Sequence, residues 1–513
     1  MLLSENELGN TGTIVSSGAA RVLCPYGPPD AQDHFSPQPR SLFESRTSVP
    51  VHSGPRLFDV RVPIPPTYDT ERQKSLDVWR KFLYTVFVRS EDRVDEAAGG
   101  RYPLVEDRIQ AEIMHHVRAM SRPVSRSEMT DALGVSRSKI SMEVGRLIEA
   151  GLLAEDGLAK SEGGRRSSLL RIPRSAGLIA AVDLGATSTD VALTTLGGEL
   201  LIHRGGPWDI KDGPRSVLDR VKEMLSELLA EQGADARDVL AIGVGVPGPV
   251  ERATGVLRSP PIMPGWDGFP IRAAFADEYE APVFVDNDVN VMALGEHRDG
   301  IGKGEDDVLF VKIGTGIGGG IIADGRLQRG SQGCAGDIGH ICADPDGPVC
   351  SCGNKGCLEA MAAAPAIAAQ AEECAQKGHS PVLQEVFDQR GTLTARDVGE
   401  AASRGDYHAL QIIKESGRLV GQVLATLVST LNPSLIVVGG GVANIGHSLL
   451  AEIRSAVYRR SLPLATRDLP IVLSELDQEA GVTGASVLAV EGVLQTTRVA
   501  NESSTRRRRR SQV

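Results

Sequence analysis

The chain has 513 residues, of which 41% are apolar and 24% charged, and a formal net charge of -11. That length and balance fit a soluble globular protein of two or three domains, and the acidic surplus excludes a protein that coats nucleic acid over its whole surface. No apolar run reaches the ~18 residues that span a bilayer, and the N-terminus lacks a basic stretch followed by an apolar core, so a cytoplasmic protein with no membrane partner is expected.

Residues 1–66 hold ten of the 29 prolines and show neither a strand nor a helix period. The first hundred residues are therefore expected to form a disordered extension, with a short amphipathic helix over 71–89. Residues 101–173 differ in charge, with 12 Lys and Arg against 10 Asp and Glu. Their pattern predicts a winged helix-turn-helix domain. A first helix over 109–120 places Ile109, Ile113, Val117 and Met120 on one face. Gly134, Val135 and Ser136 form the turn, and Ser136 caps a second helix over 137–150 that Gly151 ends. Ile140, Val144, Leu147 and Ile148 face inward there. Arg137, Ser138, Lys139, Ser141 and Met142 occupy the outward N-terminal half, where a recognition helix meets base edges. Leu152-Leu153 and residues 169–172 are predicted as wing strands, with Gly163, Gly164, Arg165 and Arg166 at the tip.

Beyond this domain, strands are predicted over 178–185, 189–195 and 199–203, a helix over 217–229 and a strand over 239–246. A similar order recurs: a strand over 307–314, a glycine turn, a strand at 320–325, helices over 365–375 and 417–431, and a strand over 434–441. Two similar α/β lobes with a cleft between them follow. The chain closes on a polar segment and five arginines, 506–510, which form a disordered basic tail over 496–513.

Two stretches satisfy Gly-x-Gly-x-x-Gly, at 243–248 and 314–319. Neither opens a helix, since Pro247 and Pro249 break the first and Ile321-Ile322 continues the second as a strand, so a dinucleotide fingerprint is excluded. Both lobes instead carry a strand, a tight turn and a second strand, whose backbone N–H groups can cradle phosphate. His340, Cys350, Cys352 and Cys357 are spaced His-x9-Cys-x-Cys-x4-Cys, the Cys3His donor set of a closed, tetrahedral, structural zinc site. Cys24, Cys334, Cys342 and Cys374 show no framework spacing, as in a reducing compartment, and no disulfide is expected.

Taken together, these motifs make the chain resemble the ROK family of bacterial sugar kinases and sugar-responsive repressors over residues 105–495. The matching segments are Asp183 to Thr187 (phosphate-1), Gly245 to Pro249 (interdomain loop), Asn287-Asp288-Val289-Asn290 (catalytic segment), Gly314 to Gly320 (phosphate-2), the knuckle, and Gly439 to Gly441 (adenosine). The resemblance implies a two-lobed α/β fold over 174–495, actin-like and hexokinase-like (ribonuclease H-like), preceded by the winged helix-turn-helix over 101–173. It implies Asp288 as the general base toward a sugar hydroxyl, with Asn287, Asp337, His340 and Glu359 on the sugar and His340 also on zinc. Asp183, Gly185, Thr187, Gly314, Thr315 and Gly316 would face the phosphates of a Mg-nucleotide, and Gly439 and Gly440 its adenosine.

Three positions depart from the family pattern: Ala186 replaces a usual Gly, Ile262 a usual Asn, and Asp337 a usual Glu, retracting a carboxylate by ~1.5 Å. Two functions follow. One is a sugar-responsive repressor that binds operator DNA as a homodimer or homotetramer and takes a sugar or sugar phosphate in its cleft. The alternative is an ATP- and Mg-dependent, glucokinase-like sugar kinase with an appended DNA-binding domain.

Overall fold

The computed structural model describes residues 104–120, 122–158, 167–251 and 254–495. The N-terminal extension with its 71–89 helix, the wing tip with Arg165 and Arg166, and the 496–513 tail lie outside the described residues.

Helix α1 (Arg108–Ala119) begins where the Asp107 carboxylate accepts from the N–H groups of Ile109 and Gln110 at 2.9 and 3.0 Å. Strand β1 (Val124–Ser125) leads to α2 (Arg126–Leu133) through a capping box made by Ser125 and Glu128. Gly134, left-handed at φ 63°, turns the chain into α3 (Arg137–Glu149), capped by Ser136 as predicted. The wing strands differ from expectation: β2 is Ala154–Leu158, paired antiparallel with β3 (Ser168–Arg171), which also pairs with β1. The N–H groups of Leu152 and Leu153 both donate to the Leu147 carbonyl, so these two leucines wrap the end of α3 and enter the core before the strand starts.

The first lobe contains β4 (Leu178–Leu184), β5 (Ser188–Thr195), β6 (Leu200–Pro207), α4 (Pro214–Glu231), β7 (Val239–Val246), the hairpin β8 (Val250–Glu251) and β9 (Val256–Leu257), α5 (Ile271–Ala274) and β10 (Val283–Asn287). Its sheet runs β10-β7-β4-β5-β6, parallel across β10-β7-β4 and antiparallel across β4-β5-β6. Helix α6 (Asp288–Asp299) then crosses to the second lobe. That lobe has β11 (Val308–Ile313), β12 (Ile317–Ala323) and β13 (Arg326–Leu327), followed by α7 (Glu359–Ala362), α8 (Ala364–Gln376), α9 (Pro381–Arg390), α10 (Ala395–Ser403) and α11 (Tyr407–Leu431). The chain finishes with β14 (Leu435–Gly439), α12 (His447–Arg460), α13 (Pro463–Thr466), β15 (Ile471–Leu473) and α14 (Ala480–Leu494). The second sheet, β13-β12-β11-β14-β15, repeats the pairing of the first. Helix α11 starts at Tyr407, ten residues before the predicted Gly417, because the Asp406 carboxylate caps it by accepting the Ala409 N–H at 2.9 Å.

Helices α6 and α14 lie between the two sheets. Val291 packs with Ala181 and Ala192 of the first sheet, while Val289, Met292 and Ala293 pack with Phe310 and Val437 of the second. Helix α14 is apolar almost all round, as a helix buried on every side must be. It approaches α6 backbone to backbone: a Cβ at Gly484 would sit 1.7 Å from the Val291 carbonyl oxygen. The far end of α14 then enters the winged helix. Val490, Val493 and Leu494 share one core with Ile113, Met114, Val144 and Leu170, and the Leu104 N–H donates to the Val493 carbonyl at 3.0 Å. The winged helix thus has no closed core of its own.

Candidate functional site

The expected site residues gather at the carboxyl ends of the parallel strands β4, β7 and β10, where open α/β sheets bind ligands. Asp183 on β4 is level with Gly245 on β7, which is level with Asp286 on β10. Asn287 caps α6: its Oδ1 accepts from the N–H groups of Val289 and Asn290 at 3.0 and 3.4 Å, and its Nδ2 donates to the Gly248 carbonyl at 3.2 Å. That cap fixes Asp288 as the first helical residue, buried, with Oδ1 accepting the Val289 N–H at 2.9 Å.

The other Asp288 oxygen is ion-paired with Lys312 of β11, a residue the sequence reading passed over. Its signal was a lysine inside the otherwise apolar strand Val308–Ile313. Burial opposes the charge on Lys312, but the carboxylates of Asp288 and Asp183 outweigh it and hold the ammonium above its ordinary range. Asp183 wedges against Gly481, where a Cβ would lie 2.0 Å from its Oδ2. Burial pushes its carboxyl up to about 7, Lys312 working against the rise and Asp288 and Asp190 with it. Its Oδ1 is buried with no hydrogen-bond partner. An orphaned acceptor suits a cation or a hydroxyl donor, although Lys312 already brings one positive charge to this spot.

The phosphate-type loops frame this centre. The Gly185 N–H donates to the Ser188 carbonyl at 2.8 Å, leaving Thr187 exposed at the tip of the first turn. The Gly314 N–H donates to the Gly316 carbonyl at 2.9 Å with Thr315 exposed between them. Gly439 is level with Lys312 across β14 and β11, and Gly440, at φ 90°, carries the chain over the end of β11, so the adenosine and phosphate-2 motifs adjoin. Further along β12 the glycines serve packing instead of phosphate. A Cβ at Gly320 would meet the Ala293 Cβ at 2.4 Å, so β12 lies flush on α6.

Glu359 does not stand free toward the cleft: its Oε2 accepts the Ile317 N–H at 3.0 Å, joining the knuckle side to the phosphate-2 loop. His340 faces two ways. Its Nδ1 lies 3.6 Å from the Cys350 Sγ, and its Nε2 lies 3.8 Å from an Asp337 oxygen. The Asp337 side chain is 64% exposed. Cys352 and Cys357 approach Sγ to Sγ at 3.7 Å, and the four ligand atoms of His340, Cys350, Cys352 and Cys357 all lie within 4.8 Å of one another. The Asn354 N–H draws the Cys352 thiol down to about 7, whereas burial and its neighbours push Cys357 up to about 12. Three sulfurs and one imidazole nitrogen at this spacing fit a tetrahedral zinc ion.

Residues 179–491 match the ROK family, more than half of the chain, and residues 107–172 match a winged helix DNA-binding domain. The chain belongs to the ROK family. It is 36% identical over 308 residues to a glucokinase of Halalkalibacterium halodurans, covering 60% of this chain and 93% of that one. It is 28% identical over 373 residues to the xylose repressor of Caldicellulosiruptor bescii, covering 72% and 92%. A crystal structure of a ROK family transcriptional regulator, described as a homolog of the E. coli MLC protein, superposes with a TM-score of 0.65 at 27% identity, over 75% of this chain and 96% of that one.

Within this ROK cleft the three departures have visible surroundings. Ile262 packs against the core of the first lobe. The Ala186 carbonyl accepts the Ile210 N–H at 3.1 Å, and Ile210 is braced in turn by the indole N–H of Trp266 at 3.1 Å. The Asp337 side chain is exposed.

On α3, Arg137, Ser138 and Ser141 are exposed as expected of a DNA-facing surface. Lys139 is not turned that way: its Nζ pairs with Glu143 and, at 3.3 Å, with Asp107. The buried Glu143 also accepts from the Gln110 amide at 2.8 Å, a network across α1 and α3 that the sequence did not reveal.

A second unforeseen cluster joins α1 to the C-terminal turn of α6. His115 and Arg118 face Arg298, and the Arg118 Nε and Arg298 Nη2 are buried without a hydrogen-bond partner. Burial, then Arg118 and Arg298, press His115 down to about 4 against the pull of Glu112.

No helix among the described residues is long and apolar enough to cross a membrane.

Proposed function

We propose that this chain is a sugar-responsive transcriptional repressor of the ROK family, whose cleft senses a sugar or sugar phosphate and whose winged helix holds operator DNA as part of a homo-oligomer. The observation that carries this reading is that α14 packs at one end into the core of the winged helix and at the other against Val291 of α6, the helix that begins with Asp288. Helix α6 has 12 residues, about 18 Å, and reaches from Asp288 to the Arg298 cluster against α1. A tethered domain would not sense the cleft, whereas this one shares side chains with the helix that abuts it.

Asn287, Asp288, Asp337, His340 and the Glu359 carboxylate oxygen that does not hold the Ile317 N–H supply the groups that would meet sugar hydroxyls. A sugar hydroxyl reaching Asp288 competes with Lys312 for its carboxylate, so binding and release of that ion pair are coupled. A ligand with different affinity for the two arrangements shifts their populations, and DNA shifts ligand affinity by the same factor in return. Arg137, Ser138 and Ser141, with Arg165 and Arg166 of the wing, would contact DNA. Cys350, Cys352, Cys357 and the Nδ1 of His340 would hold a structural zinc ion, which fixes the segment between Asp337 and Glu359.

The second reading, an ATP-dependent sugar kinase, is favoured by the presence of Asp288 and by the orphaned Asp183 oxygen. Mg-ATP, if bound, would supply the phosphoryl group, with Asp183, Gly185, Thr187, Gly314, Thr315 and Gly316 toward its phosphates and Gly439 and Gly440 toward its adenosine. The Lys312 pair disfavours it, because a sugar hydroxyl has to displace the ammonium before it reaches the Asp288 carboxylate.

One experiment separates the two. The purified full chain is screened against a sugar panel with ADP release and melting temperature read in the same wells, and operator binding is followed for each sugar that shifts the melt. A melting shift and a change in operator affinity without ADP carry the repressor reading. ADP release that vanishes in Asp288→Asn carries the kinase reading, and a sugar that shifts the melt but leaves operator affinity unchanged sinks the coupling.

A further inference from the structure

Away from the cleft, Cys374, His379 and His408 come together with their ligand atoms all within 4.8 Å of one another. The sequence left Cys374 without a role. It lies near the end of α8, buried, while His379 follows in the connection to α9 and His408 is the second residue of α11.

The local fold holds these three in place. The His379 N–H donates to the Cys374 carbonyl at 3.1 Å, turning the connection back on the helix. The His379 ring then stacks on that of His408, centroids 5.2 Å apart and planes 20° apart. Ser380 donates to the Asp406 carboxylate at 2.6 Å, tying the same connection to the start of α11. The thiol and both rings border a cleft lined also by Gln370, Glu373 and Lys377.

One thiol and two imidazoles form a donor set for a divalent transition ion of borderline softness, whereas Mg and Ca prefer oxygen donors. Tetrahedral zinc with Zn–S near 2.3 Å and Zn–N near 2.1 Å needs ligand atoms about 3.6 Å apart, so the present spacing requires an approach of only about 1 Å. We propose that Cys374, His379 and His408 form a second zinc site, with the fourth position open to water or to the Glu373 carboxylate. The ion staples α8 to α11. Ser416 of α11 donates to the Ala362 carbonyl at 3.0 Å, so the same helix also bears on α7, which begins with Glu359.

The test is metal content of the full chain after equilibration with zinc and removal of excess. The content falls by one equivalent in His379→Ala/His408→Ala and by a different equivalent in Cys352→Ser, the losses being additive in the triple variant. Equal zinc in wild type and in His379→Ala/His408→Ala overturns the proposal. Should that variant fail to fold, cobalt titration of the wild-type chain decides. A second equivalent that adds a charge-transfer band of single-thiolate intensity supports the site, and saturation after one equivalent overturns it.

Discussion

At its first residue α6 carries Asp288, capped by Asn287 and paired with Lys312; in its last turn it carries Arg298, half-buried beside Arg118 and His115 of the winged helix, with one buried guanidinium nitrogen lacking a hydrogen-bond partner. At the cleft end the Asp288 carboxylate is paired, and the neighbouring Asp183 Oδ1 is a buried acceptor without a partner. The DNA end retains the cost of unpaired buried donors, about 1–3 kcal/mol for each. The contrast is between a made ion pair at one end and buried guanidinium nitrogens without partners at the other. It teaches where movement is cheapest: a ligand that takes Asp288 from Lys312 must offset a made ion pair, whereas a shift of α1 against α6 relieves a standing cost.

The comparison depends on α6 and α14 moving as one body, and Gly484 tests that most severely. Gly484→Val places side-chain atoms into the Val291 carbonyl, and a loss of at least about 3 kcal/mol is expected in denaturant unfolding. A variant as stable as wild type would mean that the two helices separate freely, and the rod between cleft and winged helix would be abandoned.

Next in size is the cleft end itself. Lys312→Met leaves Asp288 buried beside Asp183 with no counter-charge, and a loss of about 2–3 kcal/mol is expected at pH 7. Asp288→Asn in the same chain should return most of it. A double-mutant cycle with no coupling between the two substitutions would show that the pair does not stabilise the cleft end.

The DNA end is read by pH. His115 sits at about 4 in the fold against 6.5 when unfolded, so the unfolded chain takes up a proton first as pH falls. Stability present above pH 6.5 is therefore lost progressively down to about pH 4, by about 2 kcal/mol between pH 7 and pH 5. The groups facing this ring are Glu112 and Arg118 on α1 and Arg298 on α6. His115→Leu should flatten that part of the stability profile, and Arg298→Met, by removing a charge that holds the ring neutral, should make the loss smaller and end it at a higher pH. An unchanged slope in His115→Leu would remove the strain argument from this end.

How much of this was legible beforehand follows from the range of the forces involved. The capped helix-turn-helix, both lobes and the zinc-type knuckle rest on local pattern: Ser136 before α3, apolar strands before glycine turns, and cysteines at short spacing. The Lys312–Asp288 pair joins residues 24 apart, Glu143 meets Gln110 across 33 positions, and Arg298 meets α1 from another domain. Such pairings are set by how elements pack and leave no period in the chain. Lys312 alone left a trace, as a charge interrupting a buried strand. The glycines at 318–320 carry a packing role that no motif announces, because a glycine that admits a neighbouring helix looks in sequence like one that cradles a phosphate.

The smallest effect separates two neighbouring cations that the sequence placed together on the recognition helix. Arg137 is exposed and has no ion-pair partner among the described residues, so Arg137→Ala should weaken operator binding by about 1–2 kcal/mol and leave the melting temperature nearly unchanged. Lys139 is committed to Glu143 and Asp107, so Lys139→Ala should lower the melting temperature slightly, with Glu143 still held by Gln110 and Arg146. Its effect on operator affinity should be the smaller of the two. Equal losses of affinity with no change in melting would mean that Lys139 leaves its internal partners when DNA arrives. The network under α3 would then be a feature of the free state alone, and the domain would bring two cations to the groove in place of one.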